Sequence, residues 1–102
     1  MQSIDITPED LEIVQSILSQ FVPHEAVWVF GSRITGLARK FSDLDLAIIT
    51  DKPLDFDRYA AIKEAFSDSH LPFKVDVVDW SAISDDFKHI IKSNYVILQK
   101  RT

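Results

Sequence analysis

Three aspartates and two glycines carry the chemistry this chain can be read for. Asp43 and Asp45 open the apolar run LDLAII (44–49), and Asp76 sits in a second run, FKVDVVDW (73–80). Side chains alternate faces along a strand, so Asp43 and Asp45 share one face while Leu44, Leu46 and Ile48 take the other. Asp76 likewise opposes Val75 and Val77. If the two strands are neighbours, Asp76 joins the pair. Three carboxylates on one partly buried face repel one another and call for a cation. Hard carboxylate oxygens suit Mg²⁺ or Mn²⁺, and Mg²⁺ typically takes one or two carboxylates plus substrate phosphates. Upstream stand the only two glycines, Gly31 and Gly36. Gly31 ends the run AVWVF (26–30). Glycine there admits φ > 0 and lets a phosphate approach with no Cβ in the way. Ser32 adds a hydroxyl donor, and a helix beginning at residues 32 to 38 would offer free N–H groups to an anion. Neither G-x-x-x-x-G-K-[ST] nor G-x-G-x-x-G occurs.

Bland readings compete with these. The chain has 12 aspartates, so D-x-D arises easily. Asp55-Phe56-Asp57 is a second instance, read as a helix N-terminus where acids favour the macrodipole. A solvated face would account for Asp43 and Asp45, and a plain strand-to-helix turn for Gly31 and Ser32. Arg33, Arg39 and Lys40 flank the turn, either neutralising a triphosphate or standing as solvated loop charges. Ser42 reads as a cap or turn residue orienting the Asp43 loop, with no base nearby to make it a nucleophile. Asp79 falls on the strand face opposite Asp76. Trp28 reads as core, and Trp80 as core or edge packing beside the site. Nothing marks Tyr59 or Tyr95 as acceptors. His24, His70 and His89 lack metal-ligand spacing.

The elements that must position these residues are short. Thr7-Pro8-Glu9-Asp10 starts a helix with Thr7 as N-cap and Pro8 first in the helix. Leu11, Val14, Ile17, Leu18 and Phe21 recur at helical spacing, and Pro23 ends it. Strands follow at 26–30, 44–49 and 73–80. Residues 32 to 40 form a connection of one or two helical turns. Asp55 or Asp57 caps a helix whose apolar face is Tyr59, Ile62, Ala65 and Phe66. Ser84 caps a last helix carrying Phe87, Ile90 and Ile91, and YVIL (95–98) reads as an apolar tail packed on the body. The order α-β-α-β-α-β-α predicts an α/β sandwich, a single domain over 1–102.

Composition bounds the function. A net charge of −5 argues against non-specific nucleic-acid binding, which needs a basic surface. A nucleotide ligand stays possible because bound metal can supply positive charge. The chain lacks cysteine, which excludes disulfides and fits the cytoplasm. No apolar run approaches the roughly 20 residues of a membrane span. The polar, acidic start MQSIDITPEDLE reads as no secretory signal.

Taken together, G-S-R-x-x-G, then S-D-x-D-L, then V-D-V-V about thirty residues on, resembles the nucleotidyltransferase superfamily of DNA polymerase beta-like and kanamycin nucleotidyltransferase enzymes. The length matches its minimal nucleotidyltransferases, and Lys74 to Trp80 resembles a subgroup whose third strand reads K-V-D-x-x-D-W. The resemblance covers nearly the whole chain. It implies the nucleotidyltransferase fold, a mixed β-sheet flanked by helices. It implies that Gly31 and Ser32, with Arg33 and Ser42 beside them, hold the nucleotide. Asp43 and Asp45 would bind two Mg²⁺ (or Mn²⁺) ions, with Asp76 a third metal ligand placed to activate an acceptor hydroxyl. The reaction would move a nucleoside monophosphate, AMP from ATP, with release of pyrophosphate. Two metals about 4 Å apart would stabilise the attacking and leaving oxygens. Relatives act as antitoxins with a helical HEPN-type partner, or pair with a helical-bundle substrate-binding subunit. A chain this short has little room for an acceptor domain, so a partner in trans or a homo-oligomer is expected. The rivals are a non-catalytic partner- or nucleotide-binding module of the same fold, and a structural domain with solvated acids.

Overall fold

The first helix, α1 (Pro8–Phe21), starts as its residues dictate: the Thr7 hydroxyl accepts the Asp10 N–H at 3.2 Å, and Pro8 occupies the first turn. The computed structural model describes residues 3–102; residues 1 and 2 of the predicted 1–102 domain lie outside the described residues. The chain continues as β1 (Ala26–Phe30), α2 (Ser32–Thr35), β2 (Leu44–Ile49), α3 (Phe56–Ser67), β3 (Val75–Asp79), a 3₁₀ turn (Trp80–Ala82), α4 (Asp85–Ser93) and β4 (Val96–Gln99). Asp55, not Asp57, caps α3 by accepting the Arg58 N–H at 2.7 Å, and Ser84 caps α4.

The strands form one sheet in the order β3-β2-β1-β4. β2 and β3 run parallel, joined by the α3 crossover; β1 is antiparallel to both β2 and β4. The sheet is therefore mixed and flanked by helices, as expected. One face carries Val27, Val29, Leu44, Leu46, Ile48 and Val77 into a core shared with Val14 and Leu18 of α1 and Ile62 and Phe66 of α3. Arg58 ties these two helices together, donating from Nε and Nη2 to the Phe21 carbonyl that ends α1. α4 brings Phe87 edge-on to Phe30 at 5.8 Å and buries Ile91 completely. The opposite face carries Asp45, Ala47, Trp28, Phe30 and Asp76, by strand parity and cross-strand register.

Three expectations need correction. Residues 95–98 do pack on the body, but as sheet and not as a tail: Val96–Gln99 is a fourth strand on β1, with a register shift between Val27 and Trp28. The third strand is shorter than 73–80, because Asp79 accepts the Ser81 N–H and turns the chain into the 3₁₀ segment. Ile90 is 65% exposed: α4 is only nine residues long and packs through Phe87 and Ile91, an i,i+4 pair, which turns Ile90 outward.

Asp79 is the polar anchor of this frame. It is buried, and its carboxylate accepts from the Thr50 hydroxyl at 2.5 Å, the Leu54 N–H at 2.7 Å and the Ser81 N–H at 3.2 Å. Removing it strands these donors, so Asp79→Ala should cost roughly 2–4 kcal/mol of stability, read from the urea midpoint. No helix among the described residues is long and apolar enough to cross a membrane.

Candidate active site

The turn after β1 and the start of β2 meet. Gly31 has φ 83° and ψ −157°, a region that only glycine occupies freely. A Cβ built on Gly31 would collide with Oδ2 of Asp45 and lie 3.2 Å from its Cγ. The glycine is thus required twice, by its backbone and by the carboxylate lying against it. Gly36 has a simpler task. It ends α2 in the left-handed conformation at φ 80°, with open space where a Cβ would stand.

Register places the acids. Asp45 of β2 pairs with Phe30 on one side and Asp76 of β3 on the other, so the two carboxylates sit on one sheet face as neighbours. Asp43 lies one residue before β2, at the same parity, with the strand entry held by the Leu44 N–H on the Lys74 carbonyl at 2.9 Å. Burial pushes the Asp45 carboxyl up to about 6, and the negative charges of Asp76 and then Asp43 push it in the same direction. The three acids therefore share one electrostatic environment, with Asp43 and Asp76 exposed and Asp45 half-buried. They do not close on a point: among the described residues, no three His, Asp or Glu side chains come together as a ready ligand set. The expected triad shares one sheet face without meeting at a single point. An open set of hard oxygens fits an ion that takes one or two carboxylates and draws its other ligands from substrate phosphates. Asp76 also lines a groove of about 590 Å³ between α3 and β3, with Phe66, Phe73 and Lys74.

Ser32 begins α2, which is a single turn, and its hydroxyl finds no partner among the described residues. Arg33, expected beside a triphosphate, is instead 5% exposed and fully engaged within the chain. Its Nε and Nη2 donate to the Ser42 carbonyl at 3.0 and 2.8 Å, Nη2 also to the Lys40 carbonyl at 3.2 Å, and Nη1 to the Asp5 backbone carbonyl at 2.7 Å. The guanidinium lies 4.1 Å over the Phe73 ring. A planar fork with several donors suits carbonyl gathering as well as it suits phosphate, and here it gathers the loop leading to Asp43. Ser42 is a turn residue: its hydroxyl accepts the Arg39 N–H at 2.8 Å.

The aromatic residues pack. Trp28 stacks on Tyr95 at 4.0 Å and meets Trp80 edge-on at 5.2 Å. Tyr59 donates to the Val77 carbonyl at 2.6 Å; burial, then Asp76 and Asp79, push its phenol above the usual range. Neither tyrosine is presented as an acceptor. The Arg33 strut and the buried role of Asp79 went unread in the sequence. The one signal for Asp79 was its odd spacing from Asp76.

Comparison with known proteins gives one family and a consistent set of relatives. The family described as Polymerase beta, Nucleotidyltransferase matches residues 12–102. The chain is 53% identical over 98 residues to the probable protein adenylyltransferase MntA of Haemophilus influenzae, covering 96% of this chain and 86% of that protein. A crystallised toxin–antitoxin with AMP-PNP shares the fold with a TM-score of 0.74 at 22% identity, over 87% of this chain and 72% of that one. A tri-AMPylated Shewanella oneidensis HEPN toxin in complex with MNT antitoxin matches with a TM-score of 0.65 at 19% identity, over 89% of this chain and 70% of that one.

Proposed function

The chain belongs to the polymerase beta nucleotidyltransferase family, and on that premise we propose that it transfers AMP from ATP to a hydroxyl on a HEPN-type partner protein, as the antitoxin half of a two-component pair. The observation that carries the reading is Asp45, held against the Gly31 turn on one side and beside Asp76 on the other. Relatedness to a named protein adenylyltransferase supports the choice of AMP and of a protein acceptor. The assembly is a hetero-oligomer, and a cytoplasmic setting supplies the ATP.

In this reading Gly31 leaves room for the Asp45 carboxylate against the turn, and the Ser32 hydroxyl donates to the triphosphate. Asp43, Asp45 and Asp76 are the residues that would hold Mg²⁺, which would supply the positive charge the substrate phosphates need. Bound, the metal offsets charge on the attacking and leaving oxygens. Asp76 receives the proton of the acceptor hydroxyl. That oxygen bonds to the α-phosphorus as the bond from the α-phosphorus to the bridging oxygen breaks, and pyrophosphate leaves. Arg33 acts from beneath, holding the Lys40 and Ser42 carbonyls so that Asp43 enters the site at a fixed angle.

The test offers each of four α-labelled NTPs in turn, with Mg²⁺ and the HEPN partner. ATP should label the partner, and chelation of the metal should stop it. An unlabelled partner in a stable complex that survives Asp43→Ala/Asp45→Ala would favour neutralisation by contact alone.

A further inference from the structure

We infer that the loop from Leu37 to Phe41 is the docking ledge for the acceptor protein, and that it fits a surface of mixed apolar and acidic side chains. The inference rests on the proposed transfer to a partner and assigns where that partner sits. Leu37 and Phe41 are 78% and 65% exposed. Single exposed apolar residues need no explanation, but here two large ones face solvent within five residues. Among the described residues, the other exposed large apolar side chains, Phe56, Ile90 and Ile97, lie on α3, α4 and β4, away in sequence from the glycine turn and Asp43.

The loop is not slack. Arg33 pins its Lys40 and Ser42 carbonyls from below, and the Ser42 hydroxyl holds the Arg39 N–H. A loop tied down on its inner side that still displays apolar side chains outward is preorganised, so less ordering remains to be done on binding. Its place in the chain points to the occupant. It runs from Gly36, which ends the glycine turn's helix, to Ser42, which precedes Asp43. A body resting on it stands at the mouth of the site, where an acceptor hydroxyl has to arrive.

Charge narrows the partner further. The chain carries −5 overall, yet residues 31–42 contain Arg33, Arg39 and Lys40 and no acid. With Arg33 buried, Arg39 and Lys40 remain exposed between the two apolar residues, and the Lys40 ammonium lies 5.3 Å over the Phe41 ring. Apolar anchors beside cations match the composition of protein interfaces, where charge steers encounter and apolar contacts hold. A nucleotide would use the cations but has no need of Leu37 and Phe41 in water.

The experiment compares the full-length chain with Leu37→Ser/Phe41→Ser, using the HEPN partner, ATP and Mg²⁺. The KM for partner should rise on the order of tenfold or more, the loss expected of interface anchors. The kcat at saturating partner, the ATP affinity of the free chain and its thermal midpoint should stay unchanged. Arg39→Ala/Lys40→Ala should flatten the salt dependence of the partner KM. Should the double variant fail to fold, Leu37→Ser and Phe41→Ser are read singly. An unchanged partner KM overturns the proposal. So does a loss confined to ATP affinity, which would assign the loop to the nucleotide, or a loss confined to self-association, which would assign it to a second copy. A wild-type chain that labels no partner overturns instead the transfer on which the proposal rests, and shows this before any variant is made.

Discussion

Asp45→Asn is expected to abolish nucleotidyl transfer while making the metal-free protein more stable. Metal-assisted charge stabilisation is worth several kcal/mol, so the loss should be on the order of 10³-fold or more. The stability effect has the opposite sign because Asp45 is a strained anion. Its carboxyl is pushed from 3.8 up to about 6 by burial and by its acidic neighbours. In that window the folded chain keeps a proton that the unfolded chain has released. Stability therefore falls as pH rises from about 4 to about 6, and the cost stays in full above that range. Allowing for solvent screening of a half-exposed group, the cost is on the order of 1 kcal/mol. Asp45→Asn should lack this part of the slope, seen as the difference between the wild-type and variant urea midpoints across the window. Mg²⁺ should raise the wild-type midpoint near neutral pH and leave the variant unmoved. A variant that keeps the slope and the Mg²⁺ response would place the carboxylate outside the site.

Gly31→Ala should be nearly as damaging, for geometric reasons. The position has φ 83° and ψ −157°, where a side chain costs about 1–3 kcal/mol. The new methyl would also meet the Asp45 carboxylate. Either the turn opens or Asp45 moves, and a displacement of an ångström can cost about 10²-fold in rate. We expect stability to drop by roughly 2–4 kcal/mol and transfer to fall on the order of 10²-fold. Gly36→Ala is the control. It meets the left-handed penalty, about 1 kcal/mol, but nothing stands within 4 Å of its Cβ, so transfer should persist. Equal damage at both glycines would mean that backbone strain alone matters and that the Asp45 contact does not.

Much of this site was legible because strands impose parity. The period of two placed Asp43 with Asp45 and set Asp76 against Val75 and Val77, and the register between β2 and β3 then brought Asp45 beside Asp76. Gly31 was legible as a turn with φ > 0; that its missing Cβ makes room for a carboxylate of its own chain was not, since the contact spans fourteen residues. Arg33 misled because an arginine beside a glycine turn has two good uses. Which one wins depends on whether carbonyls converge on it, and these come from residues 5, 40 and 42. β4 was hidden by its length: four residues without a tight hairpin turn carry little periodic signal, and pairing with β1 is a long-range event. Parity set Asp79 on the face opposite Asp76, but its partners were not legible, since Thr50 and the Leu54 N–H reach it from the β2–α3 loop.

The central claim is that this cluster of carboxylates and its glycine turn move an adenylyl group. The most direct measurement runs ATP labelled at the α-phosphate and ATP labelled at the γ-phosphate in parallel, with Mg²⁺ and the HEPN partner, for the wild type and Asp45→Asn. The α-label is expected on the partner, the γ-label in pyrophosphate, and neither product from the variant. The γ-label on protein, or α-label transferred undiminished by Asp45→Asn, would contradict the claim.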